Sequence, residues 1–164
     1  MSATNLIATL EKLYKLHKSL FGLSVSKTDV IKKGDMSELD RVLMDEQKHL
    51  AAINTVEAER QRESSHYLQS RGVPFNEAPT ISHCIEHSAP QDQETLAHWQ
   101  GKLLGIIGEL KDQNELNQKL VYQSLQFVNM NLSMTQPQPE QSNYSRPNGE
   151  KKAQTSRSIF DSKA

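Results

Sequence analysis

Residues 91–134, QDQETLAHWQGKLLGIIGELKDQNELNQKLVYQSLQFVNMNLSM, decide the fold. No proline falls between Pro90 and Pro137, so nothing in the stretch forbids one continuous helix. At about 100° per residue, Leu96, Trp99, Leu103, Ile107, Leu110, Val121, Leu125, Val128 and Leu132 share one side. A stripe of that kind is what a helix needs to bury itself against neighbours. A second set, Leu116, Leu120, Phe127, Met130 and Met134, lies roughly 120–150° away on the same wheel and occupies only the C-terminal half. One stripe makes a core; a second implies that another helix is expected.

The remaining prolines, Pro74, Pro79, Pro139 and Pro147, leave 1–73 free of the strongest helix breaker. Leu6, Leu10, Leu13, Leu16 or His17, and Leu20 recur at three- and four-residue steps, and the pattern resumes through Leu23, Lys27, Val30 and Ile31. Gly34 stops it, because glycine readily takes the left-handed position after a helix. Asp35 can cap the next helix, with Glu38 three residues on as its capping-box partner. That second helix carries Met36, Leu39, Val42 or Leu43, Leu50, Ile53 and Val56, and frays near Gln69-Ser70-Arg71-Gly72. Segment 73–90, with three prolines, holds one short helix at about 80–88.

The expected fold is therefore all-α: an elongated antiparallel three-helix bundle, or coiled coil, with one short connector helix. Helices are expected at about 4–33, 36–70, 80–88 and 91–134, within a bundle domain of 1–135. At 1.5 Å per residue it is roughly 50–65 Å long. The tail, 136–164, keeps only Tyr144, Ala153, Ile159, Phe160 and Ala164 as apolar residues. It cannot bury enough surface to offset chain entropy, so a disordered tail is expected. Its aromatics are not evenly spread: Tyr144 lies beside Arg146-Pro147, and Ile159-Phe160-Asp161 nearly ends the chain. They read either as short docking peptides or as parts of a spacer.

Composition excludes several function classes. The net charge is −1 with basic and acidic residues interleaved, and the tail sets five cations against three anions. No nucleic-acid partner is expected from that balance. Cys84 is alone, so no intramolecular disulfide forms and a reducing compartment fits best. With neither a signal peptide nor a 20-residue apolar run, a cytoplasmic protein without membrane insertion is expected.

Phosphate loops, nucleophile elbows and HExxH are missing, so no enzyme and no cofactor are expected. Gly101, Gly105 and Gly108 sit inside a helical pattern. They read as a side where another backbone comes close, the 80–88 segment being the candidate, or as a softened helix start. In Ser82-His83-Cys84-Ile85-Glu86-His87, the two histidines at i, i+4 could share zinc with outside ligands. No second Cys/His pair stands at zinc-finger spacing, so solvent-facing histidines and no metal site are expected.

Several of these features together resemble the FlgN family of flagellar type III export chaperones. They are the Leu6…Leu10…Leu13 opening, Lys27, the Gly34-Asp35 turn, Glu57 and Arg60, and above all the run Leu110…Asn114…Asn117…Leu120…Ser124-Leu125-Gln126-Phe127. The ending Ser158-Ile159-Phe160-Asp161-Ser162-Lys163-Ala164 is similar to termini of Firmicute members.

The resemblance implies a cytoplasmic chaperone that binds the C-terminal helical segments of the hook–filament junction proteins FlgK and FlgL. It would prevent their premature assembly and deliver them to the export gate. It also implies docking on the cytoplasmic domain of FlhA through a tail tyrosine, and that role falls to Tyr144. This sequence departs from the family pattern there, having Tyr144-Ser145 in place of Tyr-Gly.

On this reading Leu116, Leu120, Phe127, Met130 and Met134 offer a groove to an amphipathic client helix. The methionines suit two different clients, and Asn114, Asn117 and Asn131 add hydrogen bonds and register. Packing of this stripe inside the bundle is the competing reading. If it is exposed, a homodimer is expected when no client is bound. A different class of function, a structural coiled-coil adaptor or oligomerisation module without a transport role, explains the helices but not the aromatic tail.

Overall fold

A computed structural model describes residues 3–136. Within them the chain is helical, and no strand forms among the described residues. Four helices follow in order: α1 (Thr4–Lys33), α2 (Met36–Ser70), α3 (Ile81–Glu86) and α4 (Pro90–Thr135).

Local chemistry sets the helix ends. Gly34 adopts φ 69°, and its N–H reaches the carbonyls of Val30 and Ile31 while the Asp35 N–H reaches Val30. Those bonds satisfy carbonyls that α1 would otherwise leave open. Lys32 and Lys33 add favourable charge to the same end. The Asp35 carboxylate accepts from the Glu38 N–H at 3.0 Å, which starts α2. Only this half of the expected capping box forms, since the exposed Glu38 carboxylate instead pairs with Arg41 at 3.1 Å. Gly72, also at φ 69°, closes α2 as Gly34 closes α1. The Thr80 hydroxyl caps α3, and Pro90 opens α4 at a position where its missing N–H costs nothing.

α1 is the central helix. It runs antiparallel to α2, as the Lys12–Glu59, Ser19–His49 and Lys27–Glu46 pairs show. It runs parallel to α4, with the Ala3 N–H near Asp92 and Thr28 bonded to Asn117. No Cα of α2 comes within 8 Å of a Cα of α4. α1 thus packs against both α2 and α4, whose side chains meet across shared grooves while their backbones stay further apart.

The core sits at one end. Leu6, Leu10, Tyr67, Leu68, Cys84 and Leu96 cluster there, with Phe75, Ile85 and Trp99 packed around them. α3 fills the gap between the end of α2 and the start of α4, with Cys84 fully buried. Burial pushes the Cys84 thiol above its usual range. Trp99 of α4 meets Tyr14 of α1 at 5.7 Å, with the Lys102 ammonium over both rings. On α2, the Arg60 guanidinium grips Glu57 with two hydrogen bonds of 2.6 and 2.8 Å and holds its carboxyl below the ordinary value.

Three expectations change. Gly101, Gly105 and Gly108 meet no backbone: a Cβ at any of them would touch nothing within 4 Å. Ile107 is 39% exposed, and Ile106, one step round the wheel, is buried in its place. The expected core stripe also fails beyond Leu110, where Val121, Leu125, Val128 and Leu132 are all exposed.

Candidate functional site

The α1–α4 seam turns polar halfway along, and that change prepares the site. On α1 the face continuing from Leu13 and Leu20 receives Ser24 and Thr28 where leucines would keep a dry core; both are buried. Asn117 of α4 enters between them, only 2% exposed. Its amide donates to the Ser24 carbonyl at 2.8 Å and the Ser24 hydroxyl at 3.2 Å. The Thr28 hydroxyl donates back to the Asn117 carbonyl oxygen at 2.5 Å and accepts from the Gln113 amide at 2.6 Å. Ser24 also donates to Asn114 at 2.9 Å. Among the described residues no buried side-chain nitrogen or oxygen lacks a partner, so the cluster fixes register without an unsatisfied cost.

Asn117 is therefore not a surface group. Its hydrogen-bonding capacity is spent on α1, which corrects the expectation that it meets a client. Asn114 is exposed as a residue, yet its carbonyl oxygen is held by Ser24. Asn131 lies further out, exposed.

Beyond the seam α4 outruns its neighbour. Ala3–Asp92 and Thr28–Asn117 share an offset of 89 residues, and the same offset carries Lys33, the end of α1, to about residue 122. From Val121 to Gln136 every residue is exposed. Large apolar side chains there range from 38% exposed at Val121 to 74% at Met134, with Phe127 at 66%. Of the expected second stripe, Leu116, Phe127, Met130 and Met134 are exposed and Leu120 is half-buried. The stripe is thus outside the packed core, and the outer part of the first stripe is outside with it.

Two grooves lead onto this extension, one beside Leu20 and Lys27 of α1 and one at the C-terminal end of α1. The first, about 500 Å³, runs between α2 and α4 with α1 as its floor. Leu50, Val121, Tyr122 and Leu125 give it apolar walls, and the bidentate Lys27–Glu46 ion pair stands at its side. The second, about 530 Å³, lies on the other flank between α4 and the end of α1. Leu120, Phe127 and Val128 face Ile31, Lys32 and Lys33 there.

Sequence reasoning missed Tyr122 as a groove residue and Ser24 and Thr28 as seam residues. The signal for the first was on the page: no charged residue occurs from Leu120 to Pro139. Tyr144, Ile159, Phe160 and Asp161 lie outside the described residues.

The geometry offers apolar binding surface. Among the described residues no group of three or more His, Cys, Asp or Glu gathers in a way that could hold a metal ion. His83 of α3 and His87, which follows its last residue, meet edge to face at 4.9 Å. Among the described residues no helix is long and apolar enough to cross a membrane.

Comparison with known proteins gives two matches. The family model described as FlgN protein matches residues 1–152. A Bacillus subtilis (strain 168) protein described as "Uncharacterized protein YvyG" is 34% identical over 165 residues, covering 100% of both chains. No solved structure matches.

Proposed function

The chain belongs to the FlgN family, whose members are flagellar export chaperones, and from that premise we propose that it binds FlgK and FlgL through the free end of α4. One observation carries this reading. α4 continues for about four turns past its last partner, uncharged and with large apolar side chains in solvent. A helix apolar on more than one side is stable in water only as part of a larger packed assembly. Such a surface matches an amphipathic helical segment of a client, laid into an apolar groove. Met130 and Met134 can repack for two different clients.

The work done is binding and concealment rather than a chemical step. The chaperone covers client surface that would otherwise polymerise, in the cytoplasm, and brings it to FlhA at the export gate. Tyr144 is the residue proposed to dock there.

Calorimetric titration with purified FlgK and FlgL tests the client assignment. Tight one-to-one binding is expected, and no binding to either protein would refute it. Tyr144→Ala is expected to leave FlgK affinity intact and weaken binding to the cytoplasmic domain of FlhA; unchanged FlhA affinity would remove Tyr144 from the site.

A further inference from the structure

On the chaperone reading given above, we propose that one client molecule supplies two helical segments, one on each flank of the α4 extension, so that α4 is clamped between them. The apolar groups of the extension are not a single stripe. Val121 and Leu125 centre on one flank and Phe127 and Met134 on another, about 145° round the helix. A docked helix covers little more than a 100° arc of its partner, so one segment leaves the other flank in water.

The two grooves place the flanks on different sides of α1, the first beside Leu20 and Lys27 and the second at its C-terminal end. One is lined by Leu125 and Tyr122. The other is lined by Phe127 and Leu120. The line from α4 to α1 passes between them, through Asn117.

The grooves also differ in charge. The first holds a neutralised Lys27–Glu46 pair beside the amides of Asn114 and Gln118. The second is edged by Lys32 and Lys33, and its lining contains no acidic side chain. The first segment should therefore be neutral along its contact face, and the second should carry carboxylates near the lysines. That complementarity sets which segment goes where.

Leu125 and Phe127 are 58% and 66% exposed, so Leu125→Asp and Phe127→Asp are expected to fold. Each full-length variant is titrated with purified FlgK, and hydrogen exchange is followed on FlgK in the complexes. Wild-type protein is expected to protect two separate FlgK segments at one-to-one stoichiometry. Each variant is expected to lose about tenfold or more in affinity and to release a different segment.

A single protected segment, released by both variants, would overturn the clamp while leaving the chaperone reading standing. Two FlgK molecules per chaperone would overturn it as well. So would a chaperone dimer through this surface that persists in the complex. No wild-type binding at all would instead remove the chaperone reading itself, and the clamp with it.

Discussion

Asn117 shows how much one side chain can mislead when only its neighbours in sequence are known. In a row with Asn114 and Asn131 it looks like part of a recognition surface, but the fold spends it on Ser24 and Thr28. Removing a buried partner strands the groups that remain, at about 1–3 kcal/mol. Asn117→Ala is therefore expected to destabilise the protein by that amount, read as a lower urea midpoint with unchanged slope. If Asn117 were instead a client contact, stability would hold and only FlgK affinity would fall. The apolar triple replacement Ser24→Ala, Thr28→Val and Asn117→Leu should recover much of the loss, because the partners it leaves, the half-buried Gln113 and the exposed Asn114, can turn to water.

At the scale of the helix, α4 carries glycines that do nothing for packing. Gly101, Gly105 and Gly108 have open space where a Cβ would stand and no left-handed backbone. Each lowers helix propensity by on the order of 1 kcal/mol relative to alanine. Gly101→Ala, Gly105→Ala and Gly108→Ala are each expected to raise stability by up to about 1 kcal/mol, measured by urea unfolding of single and combined variants. A loss of stability would mean that another backbone does pass close to this face.

The turn between α1 and α2 was legible from sequence because it rests on local chemistry: Gly34 at positive φ and the Asp35 cap. Which faces those elements bury was less legible. Periodicity reports that Val121, Leu125, Val128 and Leu132 continue the line of Leu96 and Leu110, but it cannot report that α1 stops at Lys33. Ser24 and Thr28 interrupt the apolar face of α1, and their presence is a sequence sign that the dry core ends there. Counting would have gone further: α1 has 30 residues and α4 has 46. With α1 ending level with about residue 122, α4 must run about 20 Å further unaccompanied.

Across the whole molecule, order is graded from one end to the other. At the α3 end Leu6, Leu10, Leu68, Cys84 and Leu96 are buried to within 1%. In the middle the seam is held by hydrogen bonds through Asn117. At the far end the hydrogen bonds of α4 run within the helix itself, and an isolated helix of that length is marginal in water. Opening free energies should follow the same gradient, since local opening is easiest where buried contacts are fewest. Native-state hydrogen exchange is expected to show strong protection at 96–110, intermediate protection around Asn117, and rapid exchange from about 122 to 135. Saturating FlgK should slow exchange in 122–135 selectively, because the client supplies the packing that the chain leaves out. Uniform protection along α4 in the free protein would mean that this end is already covered by something else, and the free helix end would no longer explain client capture.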